Sequence, residues 1–481
     1  MTEKSPVRLS IVIPVFNSPQ HVRTAVASAA AQTCEDGDVE VIVVDDGSTD
    51  ETPTVLDELA AEYRGVRVIR QENSGWAGAP RNTGLAAARG DYVFFHDVDD
   101  RLNGDCLGNA VAYADEKLSD VVLVRLEGRG GRHTHDDVFA DTQEVGDIRR
   151  LVRSNFCFKL FRRSFLVAND LTFPAERIRL EDAQFCFRAY ALAGKVSILS
   201  DRTYYFVCDH GDGHISQSRT EPRLHAEGIR ESLRPLESGP WEDALRREAV
   251  ADFFRRVTLN RFNDTFHTRR VEVRLAWIAE STRLVREFCL PERLFEFYSP
   301  LNRARVWSLA SGIPALVEAV ARRGNRSRAV LNVVDRVQVR GFAVVVEGTA
   351  AAVLATREIT GLDIQVRKDG EELALFGAEL TGERAGGGDV DRAANAVTGF
   401  RVTIPVKALL SQGTVKLYAR ATDDEGRTTG FIRIGLAESA RVRRRHWGVS
   451  IESSPTKYGG MNLHVRTGAK ALLGQVLGRR R

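Results

Sequence analysis

The sequence predicts an α/β protein whose N-terminal part is a mostly parallel sheet covered on both faces, followed by a helical connector and a β-sandwich. Three observations predict this. Strand and helix patterns alternate over roughly the first hundred residues, the signature of a parallel sheet with crossover helices. From about Glu221 to Asn325 the apolar spacing turns helical. From about Val330, short β-branched runs recur between Gly- and Asp-bearing turns, as in a sandwich. The expected sections are 1–220, 221–327 and 328–440, with 441–481 as a basic tail.

The elements follow in order. Leu9–Pro14 reads as a buried strand, His21–Gln32 as a helix packed through alanines, and Glu40–Val44 as a β-branched strand. Thr52–Arg64 carries Val55, Leu56, Leu59, Ala60 and Tyr63 on one helical face. Val66–Arg70 is a third strand, Arg81–Ala88 a helix, and Tyr92–Phe95 a fourth strand. In such sheets the ligand sits beyond the carboxyl ends of the strands. The polar clusters fall there: Asn17 and Ser18, Asp45–Ser48, Asn73–Gly75 and Asp97–Asp100. Further on, Val121–Leu126 is strand-like and Glu181–Ala193 helical. Ala244–Leu259 and Val271–Phe288 form the connector. Asn332–Glu347, Leu362–Phe376, Gly399–Val406 and Thr414–Thr422 supply an immunoglobulin-like β-sandwich, with Gly386–Asp391 as a loop inside it.

The 481 residues carry 68 Lys+Arg against 65 Asp+Glu, a net charge of +3, too balanced for a nucleic-acid binder. That balance hides an asymmetry. Residues 441–481 hold 10 basic groups and one acid, so the remainder is net −6. Arg441–His446 is thus suited either to an anionic membrane surface or polymer, or to a solvated tail. No apolar stretch approaches the eighteen or so residues of a membrane span. Met1–Ser10 carries Glu3, Lys4 and Arg8, unlike an export signal. Cys34, Cys106, Cys157, Cys186, Cys208 and Cys289 are scattered and read as reduced thiols. The expected location is the cytoplasm.

Chemistry concentrates in Phe94-Phe-His-Asp97-Val-Asp99-Asp100. Alternate carboxylates past a strand end present oxygens to one hard divalent cation and to phosphates it holds. An isolated Asp-x-Asp is more often a solvated turn, but this one has company. Asp45-Asp-Gly-Ser48 closes the second strand, where a carboxylate can accept from a base N–H or a ribose hydroxyl and the glycine permits close backbone approach. Helix capping is its bland alternative. Asn73-Ser-Gly75 leads to Arg81, which suits either a phosphate at the helix start or a surface ion pair.

Taken together, Ile11-Val-Ile-Pro-Val-Phe-Asn17, Val43-Val-Asp-Asp-Gly-Ser48, Asn73-Ser-Gly75, Arg81-Asn82 and Asp97–Asp100 resemble the family-2 glycosyltransferases in order and spacing. The resemblance covers about residues 8–220 and implies a Rossmann-like GT-A fold and an inverting enzyme. Ser74-Gly-Trp76 leading to Ala79-Pro-Arg-Asn82, with a later β-rich region, looks most like the bacterial wall-teichoic-acid β-glycosyltransferases. Those move N-acetylglucosamine from UDP-GlcNAc onto polyribitol phosphate.

The resemblance implies roles position by position. Pro14 and Asn17 lie in the first donor-binding motif, and Asp46 and Asn73 match uridine-binding positions. Arg81 and Asp97 match positions on the nucleotide and its diphosphate, and Asp99 the metal-binding carboxylate for Mn(II) or Mg(II). Glu181-Asp182 resembles the pair whose Asp is the catalytic base; read alone, it is two acids favoured by a helix N-terminus. Asp212-Gly-His214-Ile-Ser216 resembles the late loop that reaches metal and diphosphate, with His210 a competing ligand to His214. A basic residue often found before that His is replaced here by Asp209, Gly211 and Asp212. By analogy the C-terminal region would trimerise the chain or bind a polymeric acceptor. The implied partners are a nucleotide-sugar donor and a polyol-phosphate acceptor. Capsular or exopolysaccharide synthesis is one rival, and a non-catalytic glycan-binding scaffold another.

Overall fold

The computed structural model describes residues 7–132, 134–210, 220–288, 294–312, 314–323, 330–340, 343–352, 359–381, 397–405, 408–409, 413–423, 432–433, 435–436, 443–446, 449–455 and 461–467. The chain divides into two compact units, one ending at Phe253 and one beginning at Phe254. The division falls inside the stretch read as a connector.

The first unit opens with β1 (Val7–Val15), α1 (Pro19–Ala30), β2 (Asp38–Asp45), α2 (Thr52–Glu62), β3 (Val66–Arg70), α3 (Gly78–Ala87) and β4 (Tyr92–Phe95). It continues with β5 (Arg101–Leu102), α4 (Leu107–Lys117), β6 (Val121–Val124), β7 (Leu126–Arg129), α5 (Ile148–Leu151), β8 (Lys159–Arg162) and α6 (Arg163–Ala168). It ends with α7 (Glu181–Leu192), β9 (Val196–Leu199), β10 (Tyr205–Cys208), α8 (Pro222–Ser238) and most of α9 (Asp243–Val257). The main sheet has the order β3-β2-β1-β4-β8-β6-β9. Every neighbouring pair in it is parallel except those of β8, which runs antiparallel to both β4 and β6. A smaller sheet, β5-β10-β7, stands beside it.

Local patterning explains the elements. In β1 every residue but Pro14 is buried, as expected for a central strand covered on both faces. Pro19 opens α1 at the position where a missing N–H costs nothing, and Val22, Ala25, Val26 and Ala29 form its buried stripe. Glu40 is buried on β2, where Ser10 Oγ donates to it at 2.7 Å and the Arg89 backbone N–H at 2.7 Å. Buried Arg8 is held between Asp91 and Asp115. Because β1 to β4 all point the same way, their polar C-terminal residues gather at one edge. That edge is the site.

The second unit contains α10 (Val271–Phe288), α11 (Pro300–Ser311) and α12 (Pro314–Arg323). Its strands are β11 (Val330–Arg340), β12 (Ala343–Ala352), β13 (Ile359–Lys368), β14 (Glu371–Gly377), β15 (Glu379–Leu380), β16 (Val397–Pro405) and β17 (Gly413–Asp423). β18 (Ile432–Arg433), β19 (Gly435–Leu436), β20 (Arg443–His446), β21 (Val449–Pro455) and β22 (Met461–Thr467) complete it. One sheet has the order β15-β16-β12-β11-β19, the other β14-β13-β17-β22-β21-β20 with β18 also on β17. Every second residue is buried along three of the strands: Leu362, Ile364 and Val366 on β13, Val415, Leu417 and Ala419 on β17, Phe400, Val402 and Ile404 on β16. The C-terminal part is β-rich, as the sequence indicates. Its extent differs from the reading that ended it at 440. Residues set apart as a basic tail form β20 to β22, and β22 pairs with β17 through Gly413–Val465 and Thr414–His464. Charge masked the pattern there, because Arg443-Arg-Arg445 reads as solvated before it reads as a strand. No helix among the described residues is long and apolar enough to cross a membrane.

Candidate active site

The first corner of the site joins the ends of β1, β2 and β3. Asp46 is buried just past β2 and accepts from Ser74 Oγ at 2.8 Å, the Ser74 backbone N–H at 3.1 Å and Gln71 Nε2 at 2.6 Å. Gly47 has φ +75°, and a Cβ there would meet the Asn73 backbone nitrogen at 2.7 Å. Glycine is needed for both reasons. Asn73 is exposed, its Oδ1 accepting from the Gly75 N–H at 2.7 Å. Asn17, also at positive φ, accepts from the Thr49 N–H at 2.9 Å, and its own N–H donates to Ser48 Oγ at 2.9 Å. Pro14 lies on β1 paired with Val44, one step from this corner.

The second corner is the turn after β4. Asp97, Asp99 and Asp100 offer carboxylate oxygens all within 4.8 Å of one another. Asp100 is the buried member, and burial together with Asp97 and Asp99 pushes its carboxyl up to about 8. Tyr205 of β10 clasps the turn. Its hydroxyl donates to Asp100 Oδ2 at 3.0 Å, accepts from the Asp97 N–H at 3.0 Å and lies 3.0 Å from His96 Nδ1. Asp100 Oδ1 accepts from the Cys208 N–H at 2.8 Å. His96 is fully buried, and burial lowers it to about 4, so it is neutral at pH 7. The Tyr205 ring stacks on Phe158 with centroids 4.5 Å apart. Tyr205→Phe keeps that packing but strips partners from Asp100 and the Asp97 N–H. We expect a loss of about 1–3 kcal/mol in unfolding free energy, read by urea titration; an unchanged midpoint would show that the clasp holds nothing.

The third corner brings in α7. Arg81 of α3 is buried, and its two terminal nitrogens donate at 2.8 Å each, one to Asp97 Oδ1 and one to Asp182 Oδ1. Its guanidinium also lies 5.2 Å from the Phe173 ring centroid. Burial opposes the Arg81 cation, but Asp182, Cys157, Asp97 and Glu181 hold it well above its ordinary value. Asp182 Oδ2 accepts from the Cys157 N–H at 3.3 Å. Burial raises Asp182 above the usual carboxylate range, with Arg81 opposing and Asp97 assisting. Burial and the Asp182 charge push neighbouring Glu181 up to about 7.

The structure therefore brings Asp46, Asn73, Arg81, Asp97, Asp99, Glu181 and Asp182 to one edge of the sheet. Arg81, read from sequence as either a phosphate fork or a surface ion pair, is buried here and bridges two carboxylates. His214 and Ser216 lie outside the described residues. His210 is described, and its Nε2 is 2.8 Å from the Asp99 carbonyl oxygen while its ring faces His21 at 4.3 Å. Arg129 pairs with Glu127 at 2.9 Å and lies over the Phe206 ring. Sequence reasoning missed Tyr205, one more aromatic in an apolar strand with no local mark. It named Asp100 within its motif without a role, since only burial separates Asp100 from its neighbours.

A mostly parallel sheet thus carries carboxylates, an arginine and an acid pair at its C-terminal edge. Residues 10–162 match the model of Glycosyl transferase family 2. That segment is therefore similar to a family-2 glycosyltransferase domain, on a sheet of GT-A type. Among curated proteins it is 32% identical over 311 residues to the poly(ribitol-phosphate) beta-glucosyltransferase of Bacillus spizizenii, covering 62% of this chain and 48% of that protein. It is 32% identical over 276 residues to the poly(ribitol-phosphate) beta-N-acetylglucosaminyltransferase TarS of Staphylococcus aureus, covering 56% and 48%. The crystal structure of S. aureus TarS 1–349 in complex with UDP-GlcNAc superposes with a TM-score of 0.62 and 26% identity, covering 71% of this chain and 96% of that one. The chain spans about half the length of the curated relatives it matches.

Proposed function

We propose that this chain transfers N-acetylglucosamine or a related hexose from a UDP-sugar to a hydroxyl of a polyol-phosphate polymer such as poly(ribitol phosphate), with inversion and with Mn(II) or Mg(II). The observation that carries the reading is the Arg81 bridge. One guanidinium ties a carboxylate on the donor side, Asp97, to the candidate base, Asp182. Base and donor site are thereby held in fixed relation, as in-line displacement at an anomeric carbon requires. Asp182 takes the proton of the acceptor hydroxyl as that oxygen attacks. Each of its oxygens retains a lone pair beyond the one it shares with Arg81 or Cys157. Glu181 holds a second acid at the same helix start. Asp46 and Asn73, with Pro14 and Asn17 behind them, fit the nucleoside; Arg81 and Asp97 stand on the nucleotide's phosphate side.

The carboxylate turn fits a hard divalent cation. It offers three oxygen donors within 4.8 Å, and the mutual repulsion evident at Asp100 is what a cation relieves. Asp99 would hold the metal together with His214 of the late loop, with Asp97 and Ser216 on the nucleotide-sugar side. When bound, the metal supplies positive charge against the departing diphosphate. Asp99→Asn should weaken Mn(II) binding at least about ten-fold, as followed by the free Mn(II) electron paramagnetic resonance signal. Equal binding by both proteins would remove Asp99 from the metal set.

The relatives' names differ in the sugar, glucosyl in one and N-acetylglucosaminyl in the other. UDP release from UDP-GlcNAc and UDP-glucose, with poly(ribitol phosphate), a neutral exopolysaccharide or no acceptor, tests donor and acceptor together. Faster release with the neutral polymer would overturn the acceptor. We further propose that the β-rich unit assembles the chain into a homo-oligomer; a monomer mass by light scattering would contradict this. Arg441–His446 is proposed to contact an anionic membrane, and equal sedimentation with anionic and neutral vesicles would contradict that.

A further inference from the structure

A lysine lies in the core behind the candidate base. Lys159 opens β8 opposite Leu123 of β6 and is only 1% exposed. A buried ammonium is costly unless it is paired and hydrogen-bonded. This one donates from Nζ to the Phe156 carbonyl oxygen, which also accepts from Cys186 Sγ at 3.4 Å. Cys186 stands four residues after Asp182 on α7, the spacing that puts both on one helix face. Asp182 Oδ2 in turn accepts from the Cys157 N–H at 3.3 Å. The Lys159 N–H closes the turn by donating to the Cys157 carbonyl at 2.7 Å. The turn from Phe156 to Lys159 thus meets α7 at both Asp182 and Cys186, and Lys159 fastens its first carbonyl. The same turn reaches the metal side of the site. Phe156 stacks on Phe158 with centroids 5.5 Å apart, and Phe158 stacks on Tyr205.

Charge points the same way. Asp182 is faced by Arg81 from α3, Asp97 from the turn after β4, Cys157 and Lys159 from the turn into β8, and Glu181 and Cys186 from α7 itself. Burial raises Asp182, Arg81 opposes it, Asp97 assists it, and the Cys157 N–H and the Lys159 charge oppose it further. Burial pushes the Cys186 thiol up to about 11, with Lys159 opposing. The thiol therefore stays protonated at pH 7 and leaves the lysine charge to the carboxylates.

We propose that Lys159 is a positioning residue for the base: its buried ammonium fastens the turn that presents the Cys157 N–H to Asp182 and, with Arg81, balances the acids gathered there. This rests on Asp182 being the base of the proposed transfer.

The test is Lys159→Met in the full chain. Methionine fills much of the lysine's volume, and Cys186 Sγ still serves the Phe156 carbonyl, so Tm should stay within about 5 °C of the wild type. Removing a positive charge disfavours the Asp182 carboxylate. Its carboxyl resonance, followed by carbon-13 NMR and assigned by its loss in Asp182→Asn, should titrate about one pH unit higher than in the wild type. The acid limb of kcat for transfer to poly(ribitol phosphate) should move up with it, kcat recovering at high pH while KM for the UDP-sugar stays within about two-fold. An unmoved Asp182 titration overturns the inference, whatever happens to turnover. A titration that moves while the acid limb does not leaves Lys159 acting on Asp182 and counts instead against Asp182 as the base. Should Lys159→Met fail to fold, nitrogen-15 NMR of the wild-type lysines decides. A buried Nζ seen at pH 7 as an ammonium with slowly exchanging protons supports the role, and a neutral amine overturns it.

Discussion

Asp182→Asn should lower turnover by about 10²–10⁴-fold while leaving UDP-sugar binding nearly unchanged, because an amide cannot take the acceptor's proton. The carboxamide matches the carboxylate in size but keeps one acceptor oxygen for two donors, Arg81 and the Cys157 N–H, so one hydrogen bond is lost and donor binding is compared at a temperature where both proteins are folded. Single-turnover rates with calorimetric donor binding separate the two quantities. A variant that retains wild-type turnover would remove Asp182 from the base role. The wild-type pH profile carries the same signature. Burial raises Asp182 above its ordinary 3.8 and, with the Asp182 charge, Glu181 to about 7. Only the deprotonated carboxylate acts as a base, so the rate should fall as pH drops through the raised Asp182 value, at higher pH than for an ordinary aspartate. Glu181→Gln removes the second titrating acid and should leave an acid limb set by Asp182 alone. An acid limb at the ordinary position would mean that neither carboxyl controls the rate.

Arg81→Met should destabilise the fold as well as the reaction. The Arg81 side chain is 4% exposed and its partners Asp97 and Asp182 are 29% and 19% exposed. Removing the cation leaves two half-buried carboxylates facing each other without compensation, at a cost of about 3–5 kcal/mol. For a unit of this size that corresponds to a fall in Tm of roughly 10 °C, read by calorimetry. Adding Asp182→Asn to Arg81→Met should recover part of the stability but none of the activity, since the lost charge pair then has one fewer orphan. A thermally unaffected Arg81→Met would show that the bridge between donor side and base is not an energetic feature of the fold.

The N-terminal fold was readable because its signals are local. β-branched runs, a proline at the start of α1 and polar clusters after each strand all lie within a few residues of what they specify. The parallel direction of β1 to β4 then gathers Asp46, Asn73 and Asp97 without further information. What joins them is not local. Arg81 and Asp182 are separated by 101 positions, and Asp97 and Tyr205 by 108. No spacing rule distinguishes an arginine that will fork a phosphate from one that will bridge two carboxylates. The antiparallel β8, which places Cys157 under Asp182, carries no mark in the sequence that separates it from its parallel neighbours. At the other end of the chain the basic residues of Arg443–His446 outweighed a period-two pattern, because charge suggests solvation and only pairing with Val449–Pro455 reveals a strand.

The central claim is transfer with inversion from a UDP-hexose to a polyol-phosphate hydroxyl, and the anomeric configuration of the product tests it most directly. With UDP-GlcNAc labelled with carbon-13 at the anomeric position and poly(ribitol phosphate) as acceptor, the product's anomeric resonance reports both the new bond and its stereochemistry. A β-linked sugar on the polymer, formed from the α-linked donor and lost in Asp182→Asn, is the predicted result. An α-linked product, or label that remains entirely off the polymer, would contradict the account.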